Sequence, residues 1–146
     1  MKIKITTQVK SEWKNVVSGF TEELFVKLNP PFPPVVVKQF DGCIKGDKVV
    51  LELNFLLFRQ NWVSHIVESI EDENGFSFVD VGVKLPFFLS RWRHHHIIEK
   101  RVGGGVAIID DIEFSTGTLL TDFLFYPVLY GQFLYRKPIY KKIFNK

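Results

Sequence analysis

Between Ser90 and Phe114 the chain reads SRWRHHHIIEKRVGGGVAIIDDIEF, a period-two alternation on both sides of three consecutive glycines. This pattern restricts the stretch to two paired strands. Successive strand side chains point to opposite faces, so Trp92, His94 and His96 share one face of the first strand. Val106, Ile108, Asp110, Ile112 and Phe114 share a face of the second. Gly103, Gly104 and Gly105 supply the positive φ values that a tight hairpin turn needs. With both rows turned inward, two imidazoles and a carboxylate sit among aromatic and branched side chains, which is the make-up of a mainly apolar pocket with a few polar groups.

The same alternation marks the rest of the sheet. Lys2–Val9 alternates Ile3, Ile5, Thr7 and Val9 against polar residues, a half-buried first strand. Ser11 and Glu12 start a helical stretch carrying Trp13, Val16 and Val17, which Gly19 breaks; Thr21, Glu22 and Glu23 cap a second short helix with Leu24, Phe25 and Leu28. Asn29–Pro34, NPPFPP, is a stiff non-helical connector. Strands are expected over Val35–Phe40 and Lys48–Phe55, joined by a turn containing Asp41, Gly42, Gly46 and Asp47. Phe55–Phe58 follows, with a turn expected at Arg59–Asn61, a strand over Trp62–Ile70, a hairpin turn at Asp72–Gly75 and a strand over Phe76–Lys84. Leu85–Leu89, LPFFL, reads as a loop folded onto the core or as a lid over a pocket mouth. After Gly117, Thr118–Phe144 reads as one long helix bent at Pro127 and again near Pro138. Its apolar residues run nearly all the way round, as in a helix enclosed by its surroundings. Asp122, Pro127, Gly131 and Gln132 interrupt it, which argues against a membrane span.

A chain of 146 residues fits one domain, 1–146, with a substantial core. It holds fifteen phenylalanines, and each buries roughly 150–250 Å², so they line either a dense core or an oily cavity. The net charge is +3, with cations gathered at Arg136, Lys137, Lys141, Lys142 and Lys146. No basic stripe is interleaved with stacking aromatics, so no nucleic-acid partner is expected. Cys43 is the sole cysteine, which excludes an internal disulfide and a thiolate metal cluster. The alternating N-terminus reads as a strand and not a signal peptide, so a cytoplasmic location is the default expectation. No cofactor is expected.

The element order is therefore strand, two short helices, about six strands and a long helix. Short turns make the sheet antiparallel, and the last helix should fill its concave face. Phe78-Val79-Asp80, Leu85-Pro86-Phe87, Trp92-Arg93-His94-His95-His96, Asp110-Asp111-Ile112-Glu113-Phe114 and Tyr135-Arg136 occur in that order. With them the chain resembles the SRPBCC superfamily, the α+β helix-grip fold of START lipid-transfer domains, polyketide cyclases and birch-pollen-type allergens. It is most similar to small bacterial members that also occur fused behind nucleotide-sugar epimerase-like domains. It departs from their pattern where Leu85 replaces a usual glycine, and where Ser115-Thr116-Gly117 replaces a Pro-Leu-Gly before the last helix. The resemblance implies a curved sheet of about seven strands wrapped around the C-terminal helix, with a deep cavity between them for an apolar small molecule or lipid. It implies no single chemistry, since members include carriers, sensors and enzymes.

His94, His96 and Asp110 are the candidate catalytic residues, because an imidazole titrates near neutral pH and a carboxylate fixes its tautomer. The same residues also read as a buried His–Asp bond tying two strands together, or as ligand-orienting groups; Asp80 joins them from the preceding strand. As metal ligands, His94, His96 and Asp110 make only three, and no cysteine or further nearby histidine completes the shell, so no metal is assigned. His95 and His65 fall on the face opposite this group and read as surface residues, as do Asp111 and Glu113. Phe55, Trp62, Phe78, Trp92, Phe114 and Phe123 are the expected apolar lining, with core packing as the alternative for each. Arg136 either binds a ligand carboxylate or bridges to the sheet. Three functions are carried forward: a carrier or sensor of an apolar small molecule; a cyclase or hydratase using His94, His96 and Asp110; and a lipid handler docking through Phe87, Phe88 and Arg136–Lys146.

Overall fold

In the computed structural model, which describes residues 1–145, seven strands form one antiparallel sheet. They are β1 (Lys2–Val9), β2 (Val35–Phe40), β3 (Lys48–Asn54), β4 (Arg59–Asp72), β5 (Gly75–Lys84), β6 (Arg91–Lys100) and β7 (Val106–Ser115). Two short helices, α1 (Trp13–Ser18) and α2 (Glu22–Leu28), follow β1, and α3 (Leu119–Leu134) and α4 (Arg136–Phe144) end the chain. Sheet order is β1-β7-β6-β5-β4-β3-β2, so the first strand returns to pair with the last. The inward row Ile3, Ile5, Thr7 and Val9 of β1 is buried, as its alternation requires. Irregularities of register between β4 and β5, at Val63/Ser64 and Ile66/Glu68, bend the sheet around the helices.

Several boundaries differ from those expected. Arg59–Asn61 is strand, pairing with Asn54, Leu53 and Glu52; the turn lies at Phe55–Phe58 instead, where Phe55 N–H donates to Phe58 O (2.9 Å) and Leu56 takes φ 76°. Ser11 does not cap α1, because its hydroxyl donates to Phe144 O (2.6 Å) at the end of α4. Thr21 caps α2 as expected, accepting from Leu24 N–H. The C-terminal helix is jointed at Tyr135 rather than continuous. Pro138 has no N–H to offer the Leu134 carbonyl, and its ring crowds that carbonyl. Pro127 is accommodated inside α3.

Burial divides the interior into two apolar clusters. One gathers Val16, Phe20, Leu24, Phe76, Phe78, Ile98, Ile108, Tyr140 and Phe144 around α1, α2 and α4. The other gathers Ile3, Ile5, Leu89, Trp92, Ile112, Phe114, Leu129 and Phe133 under α3. Between them runs a layer of buried polar groups on neighbouring strands, Thr7, Asp110, His94 and His96, completed by Asp80 and Arg136. Contrary to the enclosed helix expected, the sheet covers only one side of α3; Leu119, Leu120, Phe123, Leu124 and Val128 stay more than half exposed. No helix among the described residues is long and apolar enough to cross a membrane.

Candidate functional site

The register of three adjacent strands assembles the polar layer. His96 lies opposite Asp110 on β7 and Phe78 on β5, while His94 lies opposite Ile112 and Asp80. Contacts then run diagonally: His94 Nε2 meets Asp110 Oδ1 at 2.8 Å, and His96 Nε2 meets Asp80 Oδ2 at 2.6 Å. Because a carboxylate only accepts, Nε2 carries the proton in both rings. Trp92 Nε1 donates to Asp80 Oδ1 (3.2 Å), and Arg136, from the start of α4, donates to Asp110 Oδ1 (3.3 Å) while lying over the Phe133 ring. The two imidazoles stack at 3.5 Å, and Phe78 covers the other face of His96 at 4.1 Å.

Burial raises the Asp110 carboxyl, but the hydrogen bond from His94 and the charge of Arg136 outweigh it and hold the group at about 2. Burial also works to raise Asp80, where the hydrogen bond and charge of His96 prevail and bring it below the ordinary carboxylate value. His96 goes the other way: burial, reinforced by His94, lowers its imidazole to about 4 despite Asp80. At neutral pH the layer therefore holds two carboxylates, a guanidinium and a neutral His96. Nδ1 of His96, Oδ2 of Asp110 and the Tyr140 hydroxyl are buried without a protein partner.

A cavity of about 150 Å³ lies between this layer, the inner faces of β2–β4, the Asn29–Pro33 connector and α3. Of the residues expected to contact a ligand, Trp62, Phe78, Asp80, Trp92, His94 and His96 line it. Asp110 stands behind His94, held by it and by Arg136. Three others are corrected. Phe114 is packed into the cluster under α3, Phe123 points outward at 61% exposure, and Phe55 packs against Phe58, Phe87 and the outer side of Phe88 without lining the cavity itself. Val35, Val37, Val49, Leu51 and Leu53 also line it, although their strands alternate too weakly in sequence to show an inward face. Leu129, Gln132 and Phe133 of α3 also line it, and Arg136, for which a ligand contact or a bridge to the sheet is expected, stands beside them. Phe88 of the Leu85–Leu89 loop forms part of the wall, and Phe87 is exposed. Cys43 also lines the cavity, and burial pushes its thiol up to about 12, leaving it unreactive.

As a metal site the donor set changes from that weighed in the sequence: Asp80, His94 and His96 bring three ligand atoms within 4.8 Å of one another, and Asp110 is engaged elsewhere. The two rings stack with centroids 3.5 Å apart and planes inclined at 25°, so their in-plane lone pairs run side by side instead of converging on one point. This arrangement suits hydrogen bonding better than joint ligation of one ion. Chemically it offers an ionised carboxylate and a neutral imidazole at the end of an apolar chamber.

No protein family model matches the sequence, and no curated protein matches it. Solved structures do. The chain superposes on the Zhui aromatase/cyclase from Streptomyces sp. R1128 with a TM-score of 0.70 at 10% identity, covering 94% of this chain and 89% of that one. It is also similar to a point mutant of Thalictrum norcoclaurine synthase (TM-score 0.67, 10% identity, 98% and 92% covered). The di-domain aromatase/cyclase StfQ of the steffimycin pathway is matched at TM-score 0.69 and 12% identity, over 99% of this chain and 50% of that protein. Seven antiparallel strands curved around a long jointed C-terminal helix, with two short helices after the first strand, give this chain the helix-grip α+β fold, which it shares with these solved structures.

Proposed function

We propose that the protein binds a small molecule that has an apolar, ring-sized body and one hydrogen-bond-donating end. The observation that carries this is the chamber itself: about 150 Å³, apolar along β2–β4 and α3, with the ionised Asp80 in its wall. Dry apolar cavities of that size take a benzene-sized ring. Trp62 and Trp92, crossed edge to face at 4.8 Å, offer flat walls for such a ring. The Asp80 oxygens accept from Trp92 and His96 and retain capacity for one donor of the ligand.

The test is native mass spectrometry of the purified protein, with solvent extraction and identification of what co-purifies. A bound ring compound that Asp80→Asn releases supports the reading. An empty chamber and no thermal shift with phenols, aryl amines, sterols or fatty acids overturn it.

One observation favours a second reading as an acid/base catalyst of the cyclase type. The neutral His96 is hydrogen-bonded to an ionised carboxylate in a mainly apolar chamber, and the structural neighbours include aromatase/cyclases. The two readings separate by variant: a binder keeps its affinity within a few-fold in His96→Ala, whereas an acid/base enzyme loses turnover by roughly 10²–10⁴-fold.

A further inference from the structure

The end of the sheet where β1, β4 and β6 begin carries apolar side chains that the fold leaves in solvent. At the β3–β4 hairpin tip Leu57 is 95% exposed, flanked by exposed Leu56 and Phe58. Phe87 projects beside it from the β5–β6 loop, and α3 adds Leu120, Phe123 and Leu124. Ring contacts join these pieces into one surface: Phe58–Phe87 at 5.6 Å, Phe55–Phe88 at 6.1 Å and Phe88–Phe125 at 5.3 Å. Monomeric soluble proteins rarely expose a contiguous apolar patch beyond a few hundred Å².

Charge says what covers it. Four cations stand at strand ends around the patch against two carboxylates: Lys2 and Arg91 share Glu113, Arg59 meets Glu52, and Lys84 is exposed beside them, which leaves a net positive rim, while the exposed face of α3 bears no charged side chain. Leu57 at the hairpin tip and Phe87 on its loop stand largely in solvent, where a fluid interface accepts them without a matching hollow. We propose that this end of the molecule docks on an anionic lipid bilayer, with Leu56, Leu57, Phe58 and Phe87 in the interfacial layer and the strand-end cations at the headgroups. Phe88 belongs both to this surface and to the cavity wall, so docking brings the chamber against the membrane. Of the C-terminal lysines expected to assist, Lys141 and Lys142 take no part, and Lys146 lies outside the described residues. The end of α4 is fixed to Lys10 and Ser11 at the opposite edge, about 26 Å away along β1. The inference rests on the surface and stands whether or not the chamber binds a ligand.

The experiment is flotation of the full chain with vesicles of equimolar phosphatidylcholine and phosphatidylglycerol, and with phosphatidylcholine alone. Wild type is expected to float with the anionic vesicles, less so at high salt and on phosphatidylcholine. Leu57→Asp/Phe87→Asp is expected to weaken partition about tenfold or more while its melting temperature stays unchanged, since one inserted leucine is worth that factor. Lys141→Glu/Lys142→Glu is expected to bind as wild type. Failure of wild type to float, or flotation that survives the Leu57/Phe87 double change, overturns the proposal. So does a solution dimer that Leu57→Asp dissociates, which would make this face a contact between copies.

Discussion

Acidification from pH 7 to pH 5 should destabilise the protein chiefly through His96. Its imidazole is held at about 4 in the folded state, by burial and by His94, against an ordinary 6.5. The folded chain refuses a proton that the unfolded chain accepts, so this contribution is complete above the unfolded value and is lost as pH falls from 6.5 towards 4. At pH 5 the difference amounts to about 2 kcal/mol and at pH 7 to only about 0.2 kcal/mol. Urea unfolding followed by tryptophan fluorescence at several pH values measures it directly. The control is His96→Gln, whose amide still donates to Asp80 but does not titrate. Its stability should be flatter by about 2 kcal/mol over that interval. Some slope should persist, because burial also lowers the His95 imidazole. Asp80 and Asp110 do not contribute here; their depressed values lose stability only below the ordinary carboxylate range. Equal loss in wild type and His96→Gln between pH 7 and pH 5 would refute the reasoning.

Asp110→Ala should cost about 3 kcal/mol or more in equilibrium urea unfolding, since it leaves the part-buried Arg136 guanidinium and the buried His94 without the carboxylate they share. Val37→Trp, placed on the cavity wall, should fill the chamber and cut ligand uptake about tenfold, at a stability cost of about 1–3 kcal/mol; competitive titration and thermal melting separate the two effects. Gly75→Ala should destabilise by more than about 1 kcal/mol, because φ is +149° there and a methyl group would run into the Ile98 carbonyl oxygen; denaturant midpoints report it.

Strand identity and pairing were legible because two-residue alternation and glycine turns are local signals. The Trp92-His94-His96 row and its partner Asp110 came from that alternation alone, and Asp80 followed as the neighbour on β5. The pairing of each carboxylate was not legible: both His–Asp bonds run diagonally, so His96 bonds Asp80 and His94 bonds Asp110, a detail of side-chain reach. The turn at Phe55–Phe58 was misplaced because four apolar residues carry none of the usual turn chemistry. Phe123 was misassigned because a helix apolar all round shows no inward face in its spacing. The break at Tyr135 had its cause three residues on, in Pro138, and only the position was uncertain from pattern.

The buried polar layer also acts as a key for strand alignment. A slip of two residues between β6 and its neighbours would keep every side chain on its own face, so the apolar rows alone tolerate it. The charges do not. Such a slip would move His96 against Ile108 or Ile112 and leave Asp80 or Asp110 without a donor in apolar surroundings, at a cost of several kcal/mol. Groups that hold the sheet in alignment cannot be exchanged singly to suit a new ligand. Changes in what the chamber accepts are therefore open at Trp62, Ser64 and Gln132, which line it outside the His–Asp pairs, and are closed at those pairs unless both partners change together.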